Sequence, residues 1–95
     1  MPAYLIVNIE ITDPDKYAEY IKVCPPTVTK FGGKYIARGG KAEKIEGNYE
    51  PKRMVLLQFD TMEQAKAWWA SEEYRTPKSI RHASSKTDMI LFEGL

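Results

Sequence analysis

Two polar side chains on the first predicted strand are well placed to handle a proton or a ligand. Asn8 and Glu10 lie two positions apart, so both leave the same side of a strand. A carboxylate withdrawn from water can have its pKa raised toward neutrality and act as a general base, and an amide beside it can orient a ligand. The structural alternative for Glu10 is an ion pair with Lys52 or a hydrogen bond at the rim of a subunit interface.

His82 and Arg38 are two further candidates. His82 is the only histidine, and its unperturbed pKa of about 6.5 suits acid–base chemistry, although a lone histidine more often lies at the surface or caps a helix. Arg38 carries a planar guanidinium that can receive a carboxylate or an enolate, or form a salt bridge between subunits. The candidate catalytic residues are Glu10, His82 and Arg38, and the candidate ligand-binding residues are these three with Asn8.

Several kinds of site are excluded by the residues present. One histidine and one cysteine do not make a metal site, and Cys24 falls on the apolar face of a predicted helix, where it is expected in the core. The pairs Gly32-Gly33 and Gly39-Gly40 match neither the phosphate-loop nor the dinucleotide pattern. We therefore predict no metal and no cofactor.

Composition limits the partners. Fourteen basic and thirteen acidic side chains give a net charge of +1, which provides no basic surface to attract nucleic acid or an anionic membrane. No apolar run approaches the roughly 20 residues of a membrane span. The N-terminus lacks the pattern of a signal peptide, and a single cysteine suits a reducing compartment. The expectation is one cytoplasmic domain over residues 1–95.

These residues are positioned by an alternation of strands and helices. Period-two patterns predict strands over Tyr4–Ile11, Lys34–Arg38, Arg53–Phe59 and Lys86–Phe92. Gly39-Gly40 is expected to form a bulge or bend, followed by an exposed arm that turns at Gly47-Asn48. The last strand is preceded by a predicted helix over 71–83.

The first predicted helix begins after Asp13, a good N-cap, and ends at Gly32-Gly33. Its apolar face is predicted from spacings of three and four, at Tyr17, Ile21, Cys24, Val28 and Phe31. Pro25 and Pro26 interrupt the hydrogen bonding without breaking this phase, so we expect a kinked helix or two short ones. A second helix begins at Thr61 with Gln64 as a capping box. Trp68 and Trp69 lie about 100° apart on it, so only one of them can face the core.

The element order β-α-β-β-α-β predicts a ferredoxin-like α+β sandwich. Right-handed crossovers give an antiparallel sheet in the order 4-1-3-2 with the helices on one face. One edge of this sheet then collects most of the polar candidates, namely Asn8, Glu10, Asp13, Arg38, Lys52, His82 and Asp88. The strands are apolar on both faces, and the helices cover only one face. We therefore predict a homodimer formed through the open sheet faces.

Several short motifs together resemble the domain of unknown function 1330 family. They are the run from Phe31 to Gly40, Asp13-Pro14 with the tyrosines that follow, Ala65 with Trp68-Trp69, Ser71 with Glu73-Tyr74, and Arg81. The resemblance covers Tyr4 to Gly94 and implies the dimeric α/β-barrel group, in which two ferredoxin-like sheets pack face to face. Relatives in that group include cofactor-free monooxygenases, haem-degrading enzymes and small isomerases. No catalytic signature of these relatives matches residues of this chain.

Two functions follow as hypotheses. The first is a small-molecule binding protein, with its ligand between the packed sheets or at their mouth, where Ile6, Met54 and Leu56 would line the cavity. The second is a cofactor-free enzyme acting on a small keto–enol or aromatic substrate. In that enzyme Glu10 or His82 would move a proton, and Arg38 would stabilise the developing anion.

Overall fold

A computed structural model describes residues 1–95 and contains four strands and three helices. The strands are β1 (Ala3–Ile11), β2 (Lys34–Arg38), β3 (Arg53–Phe59) and β4 (Ser85–Glu93), and the helices are α1 (Pro14–Lys30), α2 (Met62–Trp69) and α3 (Glu72–Ser84). All strand pairs are antiparallel, in the order β2-β3-β1-β4. This is the predicted 4-1-3-2 sheet read from its other edge, so the predicted fold is confirmed.

The core lies between the sheet and the three helices. Every second residue of β1 and β3 is buried there, including Leu5, Val7 and Leu57. All three helices contribute to the same cluster, with Tyr20 and Val28 from α1 and others from α2 and α3. Each fully buried apolar side chain contributes about 1.5–3 kcal/mol, which explains why this face of the sheet is closed.

The opposite face of the sheet is uncovered. The strand register places Leu56, Ile6 and Ile90 in one row across β3, β1 and β4. In the next row Phe92 lies opposite Tyr4, and Phe92 is 64% exposed. The prediction that these strands are apolar on both faces is therefore confirmed for this chain.

Helix α1 is continuous, although two prolines lie inside it. Asp13 caps it by accepting a hydrogen bond from the Lys16 backbone N–H at 3.2 Å. Of the two predicted alternatives, a kinked helix or two short ones, the second is wrong, because α1 runs unbroken through Pro25 and Pro26.

One side of α1 also differs from the prediction. Tyr20 is buried, whereas Ile21, which was assigned to the core face, is 42% exposed. The buried residues Tyr17, Tyr20, Cys24 and Val28 follow spacings of three, four and four. These spacings are as typical of a helix face as those through Ile21, so the periodicity could not decide between Tyr20 and Ile21.

Strand β2 carries a bulge that decides where Arg38 points. Tyr35 lies opposite Leu57 and Ala37 lies opposite Leu56, so Ile36 is the extra residue. The bulge was expected at Gly39-Gly40 and instead lies three residues earlier. Beyond β2, residues 39–52 form no strand and are almost entirely exposed, as predicted for the arm.

As predicted from the angle between them on α2, one of the two tryptophans is buried and the other is exposed. Trp68 is fully buried, and Trp69 is 45% exposed and lies beneath the Lys78 ammonium at 3.6 Å from its ring centroid. Thr61 caps α2 and Ser71 caps α3, in both cases by accepting a hydrogen bond from the backbone three residues on. No helix of this structure combines the length and the apolar character that crossing a membrane requires.

Candidate functional site

The structure separates the predicted site residues between two faces of the sheet. Asn8 and Glu10 lie on the open face, with Lys52 and Asp88 around the same depression. Arg38 lies on the helix side, where it lines a different pocket. His82 is in the last turn of α3 and lines neither of them. The sheet edge was predicted well, but strand alternation and the β2 bulge distribute its residues over opposite faces.

The open-face depression, which we call the polar basin, encloses about 350 Å³. Its walls are entirely polar, formed by Asn8, Glu10, Glu50, Lys52, Lys86, Thr87 and Asp88. Lys86 lies opposite Glu10 in the strand register, so charges of both signs alternate around the basin. No group of acidic, histidine or cysteine side chains in the chain is arranged to hold a metal ion.

Asn8 has a structural task in this basin. Its Nδ2 donates to the Glu50 carbonyl at 3.0 Å, and its Oδ1 accepts from the Lys52 backbone N–H at 2.7 Å. The side chain therefore fixes the end of the arm against β1. Glu10 is exposed and forms none of the ion pairs in the structure, so the pairing with Lys52 considered from the sequence is absent.

The second pocket, the helix-side pocket, lies between α1 and the sheet. Eleven of its fourteen lining residues are hydrophobic. The pocket is narrow, since the space that the centre of a water-sized molecule can occupy in it is about 30 Å³. Its floor includes Val55 and Leu57 from the sheet and Trp68 from α2, and its mouth includes Ile21 and Pro25 from α1.

Three tyrosines, Tyr17, Tyr20 and Tyr35, line the helix-side pocket. Tyr17 and Tyr20 pack with ring centroids 5.4 Å apart, and the hydroxyl of Tyr20 is 2.6 Å from that of Tyr74. The Tyr35 hydroxyl donates to the Cys24 Sγ at 3.5 Å. Burial raises the pKa of Tyr20 and of Tyr35, so these phenols stay protonated at neutral pH and keep their hydrogen bonds inside the protein.

Cys24 is not an activated thiol. It is buried, and burial raises its pKa despite hydrogen bonds from Tyr20 and Tyr35 and the positive charges of Arg81 and Arg38, which act in the opposite direction. A thiol in this state is a poor nucleophile, because the thiolate is the reactive form. The residue therefore has the core position that the sequence predicted.

Arginines supply the charge around the helix-side pocket. Arg38 stacks on Tyr35 with its Cζ 4.7 Å from the ring centroid, and the Arg53 Cζ lies 5.9 Å from the Tyr17 ring centroid. Arg81 is 4% exposed, and its Nε donates to the Tyr74 hydroxyl at 3.2 Å. None of the three forms an ion pair with a carboxylate.

His82 lies outside both pockets and next to Arg81. Its Nε2 is 3.2 Å from the Arg81 Nη2. Burial, together with the charges of Arg81 and Lys78, lowers the pKa of His82, so the imidazole is neutral at pH 7. Its candidate role as an acid–base group stays a prediction.

Sequence reasoning missed Arg53 as a site residue. Arg53 occupies the same strand phase as Val55, Leu57 and Phe59, all of which are buried. A charged residue in the buried phase of a strand was the signal that identifies it. Arg81 carries the equivalent signal in α3, three or four residues from buried Pro77 and Ser84.

Comparison with known proteins identifies the family and the fold. The family described as domain of unknown function (DUF1330) matches residues 2–95. The chain belongs to the DUF1330 family. The resemblance inferred from the sequence motifs is thereby confirmed. A search among curated proteins finds no match.

Solved structures share the fold of this DUF1330 chain at low sequence identity. RPA0582, a protein of unknown function from Rhodopseudomonas palustris, is 15% identical with a TM-score of 0.81, covering 99% of this chain and 82% of its own. SnoaB, a cofactor-independent oxygenase from Streptomyces nogalater, is 9% identical with a TM-score of 0.70, covering 99% and 93%. A putative antibiotic biosynthesis monooxygenase from Nitrosomonas europaea is 17% identical with a TM-score of 0.64, covering 99% and 90%. At these identities the likeness shows the fold alone.

Proposed function

We propose that this protein binds a small, largely apolar molecule in the helix-side pocket. The observation that supports this most directly is the composition of the pocket, whose apolar and aromatic walls carry the guanidinium groups of Arg38 and Arg53. Small-molecule sites are commonly built in this way. The polar basin has no apolar wall and is a poorer place for such a ligand.

This proposal moves the ligand from the side of the sheet on which the sequence placed it. A site between packed sheets would use Ile6, Met54 and Leu56, which lie on the open face. The enclosed space in one chain lies on the other side, under α1. Asn8 and Glu10 then lie outside the proposed site, at the edge of the open face. Of the predicted ligand-binding residues, Arg38 alone lines the proposed site.

A homodimer through the open sheet face is the second part of the proposal. The row of Leu56, Ile6 and Ile90, with Phe92 beside it, presents an apolar surface to water. A second copy offers a matching surface, because a two-fold axis brings identical patches together. The open face and the helix-side pocket are opposite sides of one sheet, so pairing leaves the pocket mouth on α1 uncovered.

The binding proposal can be tested with benzyl alcohol as a neutral aromatic probe. Trp68 lines the pocket, so in a Trp69→Phe background the fluorescence of Trp68 should change on titration, with saturation. Placing a bulky side chain at the mouth by Ile21→Trp should block the entry of the probe, as measured by ligand-observed NMR. Val23→Trp is the matched control, since Val23 is similarly exposed on α1 but does not line the pocket. Equal binding to both variants would contradict this location.

A further inference from the structure

The charges around the helix-side pocket are all of one sign. Its lining contains Arg38 and Arg53 and no aspartate or glutamate. Behind it, the guanidinium of Arg81 is buried with a phenol and an imidazole as partners and without a carboxylate. Buried charges are ordinarily paired. Arg38 is exposed at the pocket and Arg53 is partly buried, and neither they nor the buried Arg81 form an ion pair with an acidic side chain.

Arg53 is the residue with an unfilled bonding position. Its Nε is buried and has no hydrogen-bond partner, and it is the one buried side-chain nitrogen or oxygen atom in the structure of which this is true. A buried donor without an acceptor destabilises the protein unless a bound molecule supplies the acceptor. This observation points to a ligand that carries an acceptor at the end of the pocket where Arg53 lies.

The Arg53 guanidinium lies against the backbone at Gly39. Gly39 has a φ of +69°, and a Cβ at that position would overlap the Arg53 Nη1. Glycine at this position thus allows the guanidinium to lie against the chain that follows β2. Because of the bulge, Arg38 shares this face of the sheet and lies diagonally across from Arg53 at a distance of about 7–8 Å between strand positions.

The geometry points to a small aromatic carboxylate as the ligand, with its carboxylate between Arg53 and Arg38 and its ring among the tyrosines and Trp68. This inference rests on the proposed function and specifies the ligand class for the same pocket. A guanidinium presents parallel N–H donors that match the two oxygens of a carboxylate. The aromatic walls favour a flat ring, and the phenols of Tyr20 and Tyr35 stay neutral, so they add no negative charge that would repel a carboxylate.

The α1 wall offers a way to admit a ring into this narrow pocket. Pro25 and Pro26 have no backbone N–H, so the carbonyls of Ile21 and Lys22 lack their helical partners. Ile21 and Pro25 both line the pocket. The helix therefore has fewer backbone hydrogen bonds beside the mouth, and an outward bend of α1 that admitted a ring there would have fewer of them to break.

The test compares benzoate with benzamide, which has nearly the same shape without the charge. We expect benzoate to bind about tenfold more tightly or better, since a charge-assisted pair contributes at least this factor. In ¹⁵N–¹H spectra the side-chain Nε–H signal of Arg53 should shift with benzoate and not with benzamide. Arg53→Met should remove the preference, while Arg75→Met, at an exposed arginine of α3 outside the pocket, should retain it.

Each other outcome has a defined meaning. Equal affinity for benzoate and benzamide would overturn the carboxylate inference and leave the proposed pocket intact. Binding of benzyl alcohol without binding of benzoate would do the same. Failure of all three probes to bind at concentrations up to about 20 mM would contradict the proposed function as well. A preference for benzoate that survives Arg53→Met would show that the anion binds elsewhere.

Discussion

The two faces of the single sheet differ in how their polar groups are satisfied. On the open face, the Asn8 amide already has both partners in the backbone of the arm, and the charged groups of the polar basin reach water. On the helix side, a buried arginine nitrogen has no partner, and three guanidiniums have no carboxylate. On the open face the polar groups are satisfied, but the apolar side chains in the middle are exposed to water. On the helix side the apolar side chains are buried, but a buried hydrogen-bond donor has no acceptor.

The difference indicates what each face requires. An exposed apolar row is stabilised when another surface covers it, and in the homodimer that we propose a second copy of the chain would supply that surface. An unsatisfied donor in a small pocket is satisfied by a ligand that carries an acceptor. Four strands can serve both purposes because successive side chains point to opposite sides.

The largest effect on the helix side should come from Trp68→Ala. Trp68 is fully buried, packs 4.1 Å from the Tyr74 ring centroid and donates from its Nε1 to the Thr27 hydroxyl at 3.0 Å. We expect its loss to lower the free energy of unfolding by about 3–5 kcal/mol. Trp69→Ala, at a half-exposed site on the same helix, should have a much smaller effect. Similar values in denaturant titrations of the two variants would contradict the assignment of Trp68 to the core.

The open face should be most sensitive to a charge at its centre. Ile6→Lys introduces an ammonium into the row with Leu56 and Ile90, and we expect the dimer to dissociate in analytical ultracentrifugation. An unpaired charge at an interface costs several kcal/mol, so dissociation should be essentially complete at micromolar concentration. Val23→Lys is the matched control, because Val23 is 39% exposed and Ile6 is 36% exposed. A monodisperse dimer of the Ile6 variant would rule out this interface.

The polar basin allows a smaller comparison between neighbouring residues. Asn8→Ala removes both contacts with the arm, and we expect a loss of about 1–3 kcal/mol in the free energy of unfolding. Glu10→Ala removes an exposed side chain without an ion-pair partner and should stay within about 0.5 kcal/mol. Hydrogen exchange of the Lys52 amide should increase in the Asn8 variant only. Unchanged exchange there would contradict the role given to Asn8.

The smallest predicted effect is a decline in stability at alkaline pH. Burial raises the pKa of Tyr20 above its ordinary value of 10.0, so the unfolded chain loses this proton before the folded protein does. The stabilisation is complete below pH 10 and is lost as the pH rises further, because the unfolded state then binds fewer protons. Urea unfolding between about pH 9 and pH 11 should show this slope, and Tyr20→Phe should reduce it. An unchanged slope in that variant would assign the effect to other groups.

The sequence predicted the architecture better than it predicted the site. Alternation in the strands and the caps Asp13 and Thr61 are local signals, and all of them are borne out. The side on which Arg38 lies depends on a one-residue bulge at Ile36, which a period-two pattern does not reveal. Arg53 was detectable as a charge in the buried phase of β3. The helix-side pocket itself depends on how α1 packs against the sheet, which no local pattern specifies.

We propose that the open face binds a second copy of the chain and that the helix-side pocket binds an aromatic carboxylate. Native mass spectrometry with an excess of benzoate tests both, because one spectrum reports the number of chains and the bound mass. We predict a dimer that carries up to one benzoate per chain under gentle conditions, and bare single chains after denaturation. The Arg53→Met protein should give the same dimer without the added mass. A monomer would contradict the proposal that the open face forms a homodimer. A dimer that takes up benzoate equally well with and without Arg53 would contradict the proposal that Arg53 binds a carboxylate in the helix-side pocket.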